Sequence, residues 1–152
     1  MLVVSDSSAL IALAGIQQRG LLKSLFAGIT VPPAVAREVA PSVALPEWVI
    51  IERPQQPVGA RILEHSLGLG ESETISLALE KGADFVVLDD KPARRLAAAI
   101  GLAVIGTVGV LMRAEEKGLV QAVRPHLDAL RARSFRISSF LYDIVLTESG
   151  EP

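Results

Sequence analysis

The sequence predicts an α/β fold, a three-layer α/β/α sandwich with a central parallel sheet. Short apolar runs alternate with helical patterns along the chain, and the connections between them are short. The predicted strands are continuous apolar runs, which is typical of parallel strands that are buried on both faces. A chain of 152 residues is large enough for one domain with a real core. We therefore expect residues 1–152 to form a single domain.

The first predicted strand covers residues 2–4, and Asp6 stands at its C-terminal end. Aspartate is disfavoured in strands and costly to bury without a partner, so this position needs a reason. Asp6 could cap the apolar helix that starts near Ala9, although Ser7 or Ser8 is the more natural cap. Ligands of open α/β sheets bind just outside the carboxyl ends of the strands. Asp6 is therefore a candidate for ligand binding.

The later elements continue the alternation of helices and strands. Further strands are predicted over residues 29–31, 48–51, 85–88 and 103–105, the second of them peripheral. Helices are predicted over residues 21–26, 34–40, 58–67, 71–81 (starting at Glu71 or Ser72) and 92–100, and from Gly106–Gly109 to about Lys117. Within residues 120–148, segments 120–133 and 139–147 are mostly helical, and 135–137 are ambiguous. Residues 150–152 are expected to be a frayed tail.

Composition narrows the class of protein. Half of the residues are hydrophobic and the mean hydropathy is +0.43, yet no apolar run approaches the roughly 18 residues of a membrane span. The N-terminus has no basic leader, so we expect a cytoplasmic protein that does not insert into membranes. The absence of cysteine excludes disulfides and thiolate zinc sites. A net charge of −2 argues against passive coating of nucleic acid.

Acidic residues occur where several segments should converge on one edge of the sheet. They are Asp6, Glu38, Glu71, Asp89 and Asp90. Carboxylates gathered in this way repel one another unless cations lie among them, and hard oxygen ligands suit Mg²⁺ or Mn²⁺. Such ions activate water and stabilise the oxygens of an in-line phosphoryl displacement. The pattern favours a divalent-metal site. Side chains alternate along a strand, so at most one of Asp89 and Asp90 is expected to point into it.

Each acid taken alone also has a structural explanation. Asp6 and Asp90 can cap helices, and Glu38 can be a solvated surface residue. Glu71 and Glu73 lie in a first helical turn, where the helix dipole favours acids. The functional interpretation therefore depends on the joint pattern. Lys91, Arg94 and Arg95 follow the acidic pair and could contact a substrate phosphate, although a solvated helix face explains at least one of them.

Five segments in order resemble the PIN domain family. The first is residues 3–12, which contain Asp6, and the second is residues 31–39, which contain Glu38. The third, residues 69–78, contains Glu71 and Glu73, and the fourth, residues 86–95, contains the acidic pair. Residues 101–111 match the segment that follows in a branch of uncharacterised prokaryotic PIN-like proteins. The relatives of this branch include toxins of the VapC type, and the resemblance extends from residue 2 to about residue 120.

The resemblance implies a Mg²⁺- or Mn²⁺-dependent endoribonuclease that hydrolyses RNA phosphodiester bonds. It also implies a homodimer and, for toxin members, an antitoxin protein that inserts a segment near the acidic pocket. Carried over by position, the catalytic and metal-binding residues are Asp6, Glu38, Glu71, Asp89 and Asp90. Glu73 is an alternative to Glu71, and both stand where many members have aspartate. Ser8 matches the small polar residue that orients the first aspartate, and Lys91 or Arg94 helps to seat phosphates.

Two rival functions follow from the same residues. The first is a PIN fold that has lost catalysis and acts as a binding or regulatory module. The intact acids argue against it, whereas the glutamate at the third acidic position and the acidic net charge keep it open. The second is a phosphatase with an aspartate nucleophile on another α/β fold. Such enzymes carry a second aspartate two positions further on, where this chain has Ser8. A covalent serine nucleophile is not indicated, because Ser7 and Ser8 have no histidine nearby in the sequence.

Overall fold

A computed structural model describes residues 1–56 and 66–152 of the chain. The described strands are β1 (Val3–Ser5), β2 (Ile29–Val31), β3 (Val49–Ile51), β4 (Phe85–Val87) and β5 (Val104–Ile105). The described helices are α1 (Ser7–Gly15), α2 (Gly20–Phe26), α3 (Pro33–Val39), α4 (Leu69–Lys81), α5 (Lys91–Ala99), α6 (Thr107–Glu116), α7 (Arg124–Ala132) and α8 (Ser139–Glu148). The helix predicted over residues 58–67 falls almost entirely outside the described residues. Among the described helices, none is both long and apolar enough to cross a membrane.

The five described strands form one parallel sheet in the order β3-β2-β1-β4-β5. β1 lies at its centre, where Val4 is paired with Thr30 of β2 on one side and with Val86 of β4 on the other. The chain therefore winds outward in one direction from β1 to β3 and in the other direction from β4 to β5. A crevice opens at such a reversal, outside the carboxyl ends of the two central strands. The predicted fold class is confirmed.

Helices cover both faces of the sheet, so the strands are apolar on both sides. Val3 and Val87 point into the larger core, which contains buried side chains of α1, α2, α6, α7 and α8. Val4 and Val86 point into a smaller core beneath α4 and α5. This alternation explains why β1 and β4 read as continuous apolar runs rather than as alternating patterns. The outer strand β3, predicted to be peripheral, leaves Ile50 and Ile51 largely exposed among the described residues.

Helix α4 begins earlier than its predicted start at Glu71 or Ser72. Its first residue is Leu69, so Gly70 lies inside the helix. Gly70 is buried there, and a Cβ atom at this position would lie 2.5 Å from Oε1 of Glu38. The glycine thus makes room for a carboxylate from α3. Gly82 ends the helix with a positive φ of 61°, as predicted.

The C-terminal region differs from the prediction in two places. Helix α7 begins at Arg124 rather than near residue 120. Residues 135–137, for which the sequence was ambiguous, form neither a helix nor a strand. The last residues are not a frayed tail: the Glu151 carboxylate accepts hydrogen bonds from the backbone N–H groups of Val123 (2.8 Å) and Arg124 (3.1 Å). Val123 has no side-chain oxygen to cap α7, so Glu151 supplies the acceptor from a distance in sequence.

Tyr142 of α8 contacts three polar side chains of α7. Its hydroxyl donates to Oδ1 of Asp128 at 2.7 Å and accepts from Nη1 of Arg124 at 3.2 Å. The guanidinium of Arg131 lies 4.2 Å from the centre of the Tyr142 ring, and its Nη2 donates to the carbonyl of Ile137. These contacts join α8 to α7, and the segment between the two helices lies beside Asp89 and Asp90 at the carboxyl edge of the sheet.

Candidate active site

The carboxyl ends of β1 and β4 carry the first acidic residues of the site. Asp6 follows β1 directly, and its backbone N–H donates to the carbonyl of Val87 in β4 at 3.0 Å. Asp89 and Asp90 follow β4 after the buried Leu88. The structure therefore places these acids at the crevice between the two central strands, where the sequence predicted a ligand site.

Asp6 has one oxygen in use and one without a partner. It is the N-cap of α1, which starts at Ser7, and its Oδ1 accepts from the N–H of Ala9 at 3.3 Å. The expectation that Ser7 or Ser8 would cap this helix is wrong, because the helix starts two residues earlier than predicted. The side chain is only 2% exposed, and Oδ2 is buried without a hydrogen-bond partner among the described residues.

The charge of Asp6 is unfavourable in this environment. Burial, with the nearby negative charge of Asp89 as the second cause, raises the pKa of the Asp6 carboxyl from its ordinary 3.8 to about 8. A buried carboxylate beside another carboxylate is stabilised either by a proton or by a cation. Oδ2 is thus an atom with unused binding capacity at a position where positive charge is favoured.

Glu71 repeats this arrangement on α4, at the same edge of the sheet. Burial raises the pKa of its carboxyl to about 7, with the negative charge of Asp90 as the next cause and that of Glu38 as a smaller one. Its Oε2 is the other buried side-chain oxygen in the described residues that has no hydrogen-bond partner. Asp90 caps α5 through a bond from the Ala93 N–H at 3.2 Å. Glu71 and Asp90 are therefore neighbours in space although α4 and α5 carry them separately.

Glu38 joins the group from α3. Its Oε2 accepts from the Ser7 hydroxyl at 2.6 Å, and its carboxylate lies over the Cα of Gly70 in the first turn of α4. These contacts bring α1, α3 and α4 together at one point. Ser8, expected to orient Asp6, shares no hydrogen bond with it among the described residues; the backbone of Ala9 holds Asp6 instead.

Asp89 is held by the start of α6. Its Oδ1 accepts from the Thr107 N–H at 2.8 Å and its Oδ2 from the Thr107 hydroxyl at 2.6 Å. The sequence did not indicate Thr107 as part of the site. The one available signal was that Gly106, the N-cap of α6, has no side-chain oxygen, so the first N–H groups of this helix need an acceptor from elsewhere. Two hydrogen bonds leave a carboxylate with further lone pairs, so Asp89 can still accept a cation.

Asp89 and Asp90 both border the same two clefts. Asp90 is also the N-cap of α5, so which of the two points into a metal site stays a prediction. The alternation of side chains along a strand does not apply to the pair, because β4 ends at Val87. Glu73, the alternative to Glu71, is directed elsewhere: its Oε2 accepts from the Ala34 N–H at 3.1 Å. It caps α3, whose own N-cap residue is a proline without a side-chain acceptor.

Three arginines of the C-terminal region border the two clefts beside the acidic pair, and no sequence motif indicates them: Arg131, Arg133 and Arg136. One cleft, of about 530 Å³, is lined by Ser8 and Arg133 as well as by the acidic pair. The other, of about 780 Å³, includes Lys91 and Arg131, and Arg136 borders both. Arg94, a predicted phosphate contact, instead donates to the carbonyl of Leu88 at 3.1 Å. No sequence motif joins residue 136 to residue 89, so only the packing of α7 and α8 shows their proximity.

The donor set suits a hard divalent cation. Two buried oxygens without partners lie at this edge, on Asp6 and Glu71, and burial together with the neighbouring carboxylates raises the pKa of both side chains. Oxygen ligands of this kind bind Mg²⁺ and Mn²⁺. In the ranges 1–56 and 66–152, however, no three acidic or histidine side chains are grouped closely enough to hold one ion together. The described arrangement consists of adjacent acids rather than a closed chelate.

Comparison with known families agrees with this architecture. A family model described as a PIN domain, DUF3368, matches residues 2–151. A search of curated proteins finds no match to this chain. The matched region includes every acid described above and also the C-terminal helices that supply the basic side of the clefts. PIN domains are generally nucleases. Since the match covers nearly the whole length, the chain belongs to the PIN domain family.

Proposed function

We propose that this protein is a metal-dependent endoribonuclease. The observation that carries the proposal is the pair of buried, unpartnered carboxylate oxygens, Oδ2 of Asp6 and Oε2 of Glu71, at the carboxyl edge of a PIN-family sheet. A purely structural site would leave no such atoms, because burying a polar group without a partner is costly. A divalent cation at this edge would offset the repulsion between the acids, and Asp6 and Glu71 are residues that would hold it.

In this proposal each acid has a distinct role. Asp6 and Glu71 would hold Mg²⁺ or Mn²⁺ through their unpartnered oxygens, together with Asp89 and Asp90. Glu38, fixed by the Ser7 hydroxyl, completes the negative site or orients a water. When bound, the cation supplies Lewis-acid chemistry: it activates water and offsets the negative charge that develops on the phosphate.

The side chains of the site do not indicate covalent catalysis. The Ser7 hydroxyl donates a hydrogen bond to the Glu38 carboxylate of α3, and a serine nucleophile would instead need an imidazole as its base. His126, the histidine among the described residues, lies on α7. In the described part of the chain its side chain forms no hydrogen bond with Asp6 or with the other acids of the site. Hydrolysis by an activated water is therefore the reaction class that fits these residues.

A first experiment tests the metal site. Mn²⁺ is titrated calorimetrically into the wild-type protein and into D6N, with D143N as the control because Asp143 is an exposed carboxylate on α8. We expect D6N to lose or strongly weaken binding, since it removes the charge while keeping the helix-capping oxygen. D143N should bind as the wild type does. Equal binding by D6N and wild type would contradict the assignment.

A second experiment tests the reaction. The purified protein is incubated with an RNA pool and Mg²⁺ or Mn²⁺, beside D6N and an EDTA-treated sample. We expect cleavage by the wild type alone. The absence of a three-carboxylate group in the described residues favours the non-catalytic rival, a regulatory module with a PIN fold. Identical RNA profiles for wild type and D6N would select that rival.

We also propose that the protein acts as the toxin of a toxin–antitoxin pair and forms a homodimer. The support is the resemblance of its acidic motifs to VapC-type toxins and the high apolar content, with a mean hydropathy of +0.43. Induced expression in a bacterial host should arrest growth for the wild type and not for D6N. Sedimentation of the purified protein should give twice the chain mass of 16.1 kDa. A monomer, or equal growth with both genes, would contradict these assignments.

A further inference from the structure

We propose that Arg136 is the residue that contacts the RNA phosphate backbone beside the acidic site and seats an unpaired strand across Asp89 and Asp90. Arg133 and Lys91 would guide the strand on the two sides. This inference rests on the proposed nuclease function and names the groups that position its substrate. None of these three basic side chains belongs to the group of acids described above. Arg133 and Arg136 lie in the segment between α7 and α8.

The position of Arg136 is the first support. The two clefts described above share four lining residues, namely Asp89, Asp90, Phe135 and Arg136. Arg133 lines only the smaller cleft, and Lys91 lines only the larger one. The clefts therefore meet at the acidic pair, with Arg136 at the junction. A strand that passed from one cleft to the other would cross the carboxylates with a cation on each side.

The availability of Arg136 is the second support. Arg131 is occupied by the carbonyl of Ile137 and the ring of Tyr142, and Arg94 is occupied by the carbonyl of Leu88. Arg136 is exposed, and its guanidinium has no hydrogen-bond partner within the described residues. It also forms no ion pair with the nearby aspartates: the one salt bridge among residues 1–56 and 66–152 joins Lys81 to Glu52. Its charge and its fork of donors are thus available to a phosphate.

Charge provides the third support. A phosphodiester approaching a group of carboxylates is repelled, and the chain as a whole carries a net charge of −2. Local cations beside the acids are therefore needed to bring the backbone within reach. The clefts, of about 530 and 780 Å³, are of a size that admits small molecules, which fits unpaired nucleotides. Phe135, partly packed on the core, borders both clefts and offers an aromatic surface to a base.

The test compares two variants that remove the same charge. R136A removes the proposed phosphate contact, and R53A removes an exposed arginine that follows β3 and borders neither cleft. Binding of a short fluorescent single-stranded RNA is measured by anisotropy across a salt series, in EDTA and in Ca²⁺. We expect R136A to weaken binding about tenfold, as for a lost charged hydrogen bond. The slope of log K against log salt should become shallower by about 0.7.

The controls separate this inference from the proposed function. R53A should leave the slope unchanged, R136K should restore part of the affinity, and a duplex of the same sequence should bind more weakly than the single strand. Mn²⁺ binding by R136A should equal that of the wild type, whereas D6N should lose it. Equal RNA binding by R136A and R53A would overturn the inference, as would tighter binding of duplex or no binding by the wild type. The RNA-binding outcomes do not depend on the calorimetric test of the metal site.

Discussion

The D6N substitution should change how the stability of the metal-free protein depends on pH. In the folded protein the pKa of Asp6 is raised to about 8 by burial and by Asp89, from an ordinary 3.8. The folded state therefore holds a proton that the unfolded chain releases above pH 3.8. The stability that Asp6 contributes by binding this proton is complete below pH 3.8 and is lost progressively as the pH rises to about 8. The reason is that folding takes up a proton in this range, and this uptake becomes less favourable as the proton concentration falls.

The magnitude follows from linkage. Between the two pKa values one proton changes the free energy of unfolding by about 1.4 kcal/mol per pH unit. Going from pH 5 to pH 7, Asp6 alone should lower the stability of the wild-type protein by roughly 3 kcal/mol. In D6N the amide keeps the oxygen that accepts from Ala9 but does not ionise. The variant should lack this loss and become more stable than the wild type at neutral pH.

The assay is urea unfolding at pH 5, 6, 7 and 8 in EDTA, with D143N as the control. The free energy of unfolding of D6N minus that of the wild type should increase steadily with pH, and the same difference for D143N should stay flat. Saturating Mn²⁺ should reverse the order at neutral pH, because the cation stabilises only the protein with the ionised aspartate. Parallel pH curves for D6N and wild type would refute the electrostatic description of this pocket.

Three further predictions concern the neighbouring residues. E71Q should abolish or strongly weaken Mn²⁺ binding in calorimetry while E73Q preserves it, because Glu73 caps α3; equal losses would show that the two glutamates are misassigned. G70A should reduce cleavage of RNA by displacing Glu38 while altering the melting temperature little, since alanine favours the helix by about 1 kcal/mol; unchanged cleavage would contradict this. E151A should lower the free energy of urea unfolding by about 1 kcal/mol through loss of the α7 cap, with no loss for the control E148A, whose side chain is exposed on α8.

The sequence was informative wherever a signal was local. The continuous apolar runs of β1 and β4 indicated a parallel sheet, and the acids after them indicated the edge that carries the site. The bounds predicted for α3, residues 34–40, each differ by one residue from those observed, and α4 ends at Lys81 as predicted. These features depend on neighbouring residues and on general backbone preferences, so one sequence is sufficient to find them.

The sequence was uninformative where a side chain bonds to a distant element. Glu73 and Glu71 are two residues apart on one helix, yet one caps α3 and the other is buried beside Asp90. Glu151 looked like part of a loose end, and its partners are Val123 and Arg124. The position of Arg136 beside Asp89 depends on how α8 packs on α7, which no local pattern reports. Such long-range contacts are decided by the assembled core.

Asp6 shows why a helix cap and a ligand-binding role were not true alternatives. A carboxylate has two oxygens, and α1 uses only one of them, through Ala9. That bond fixes the side chain at the carboxyl end of the central strand and leaves Oδ2 buried with no partner. An asparagine could form the same cap without the cost of burying a charge. Under the proposed function, a cation bound by Oδ2 would explain the aspartate, and D6N should remove that binding while keeping the helix cap.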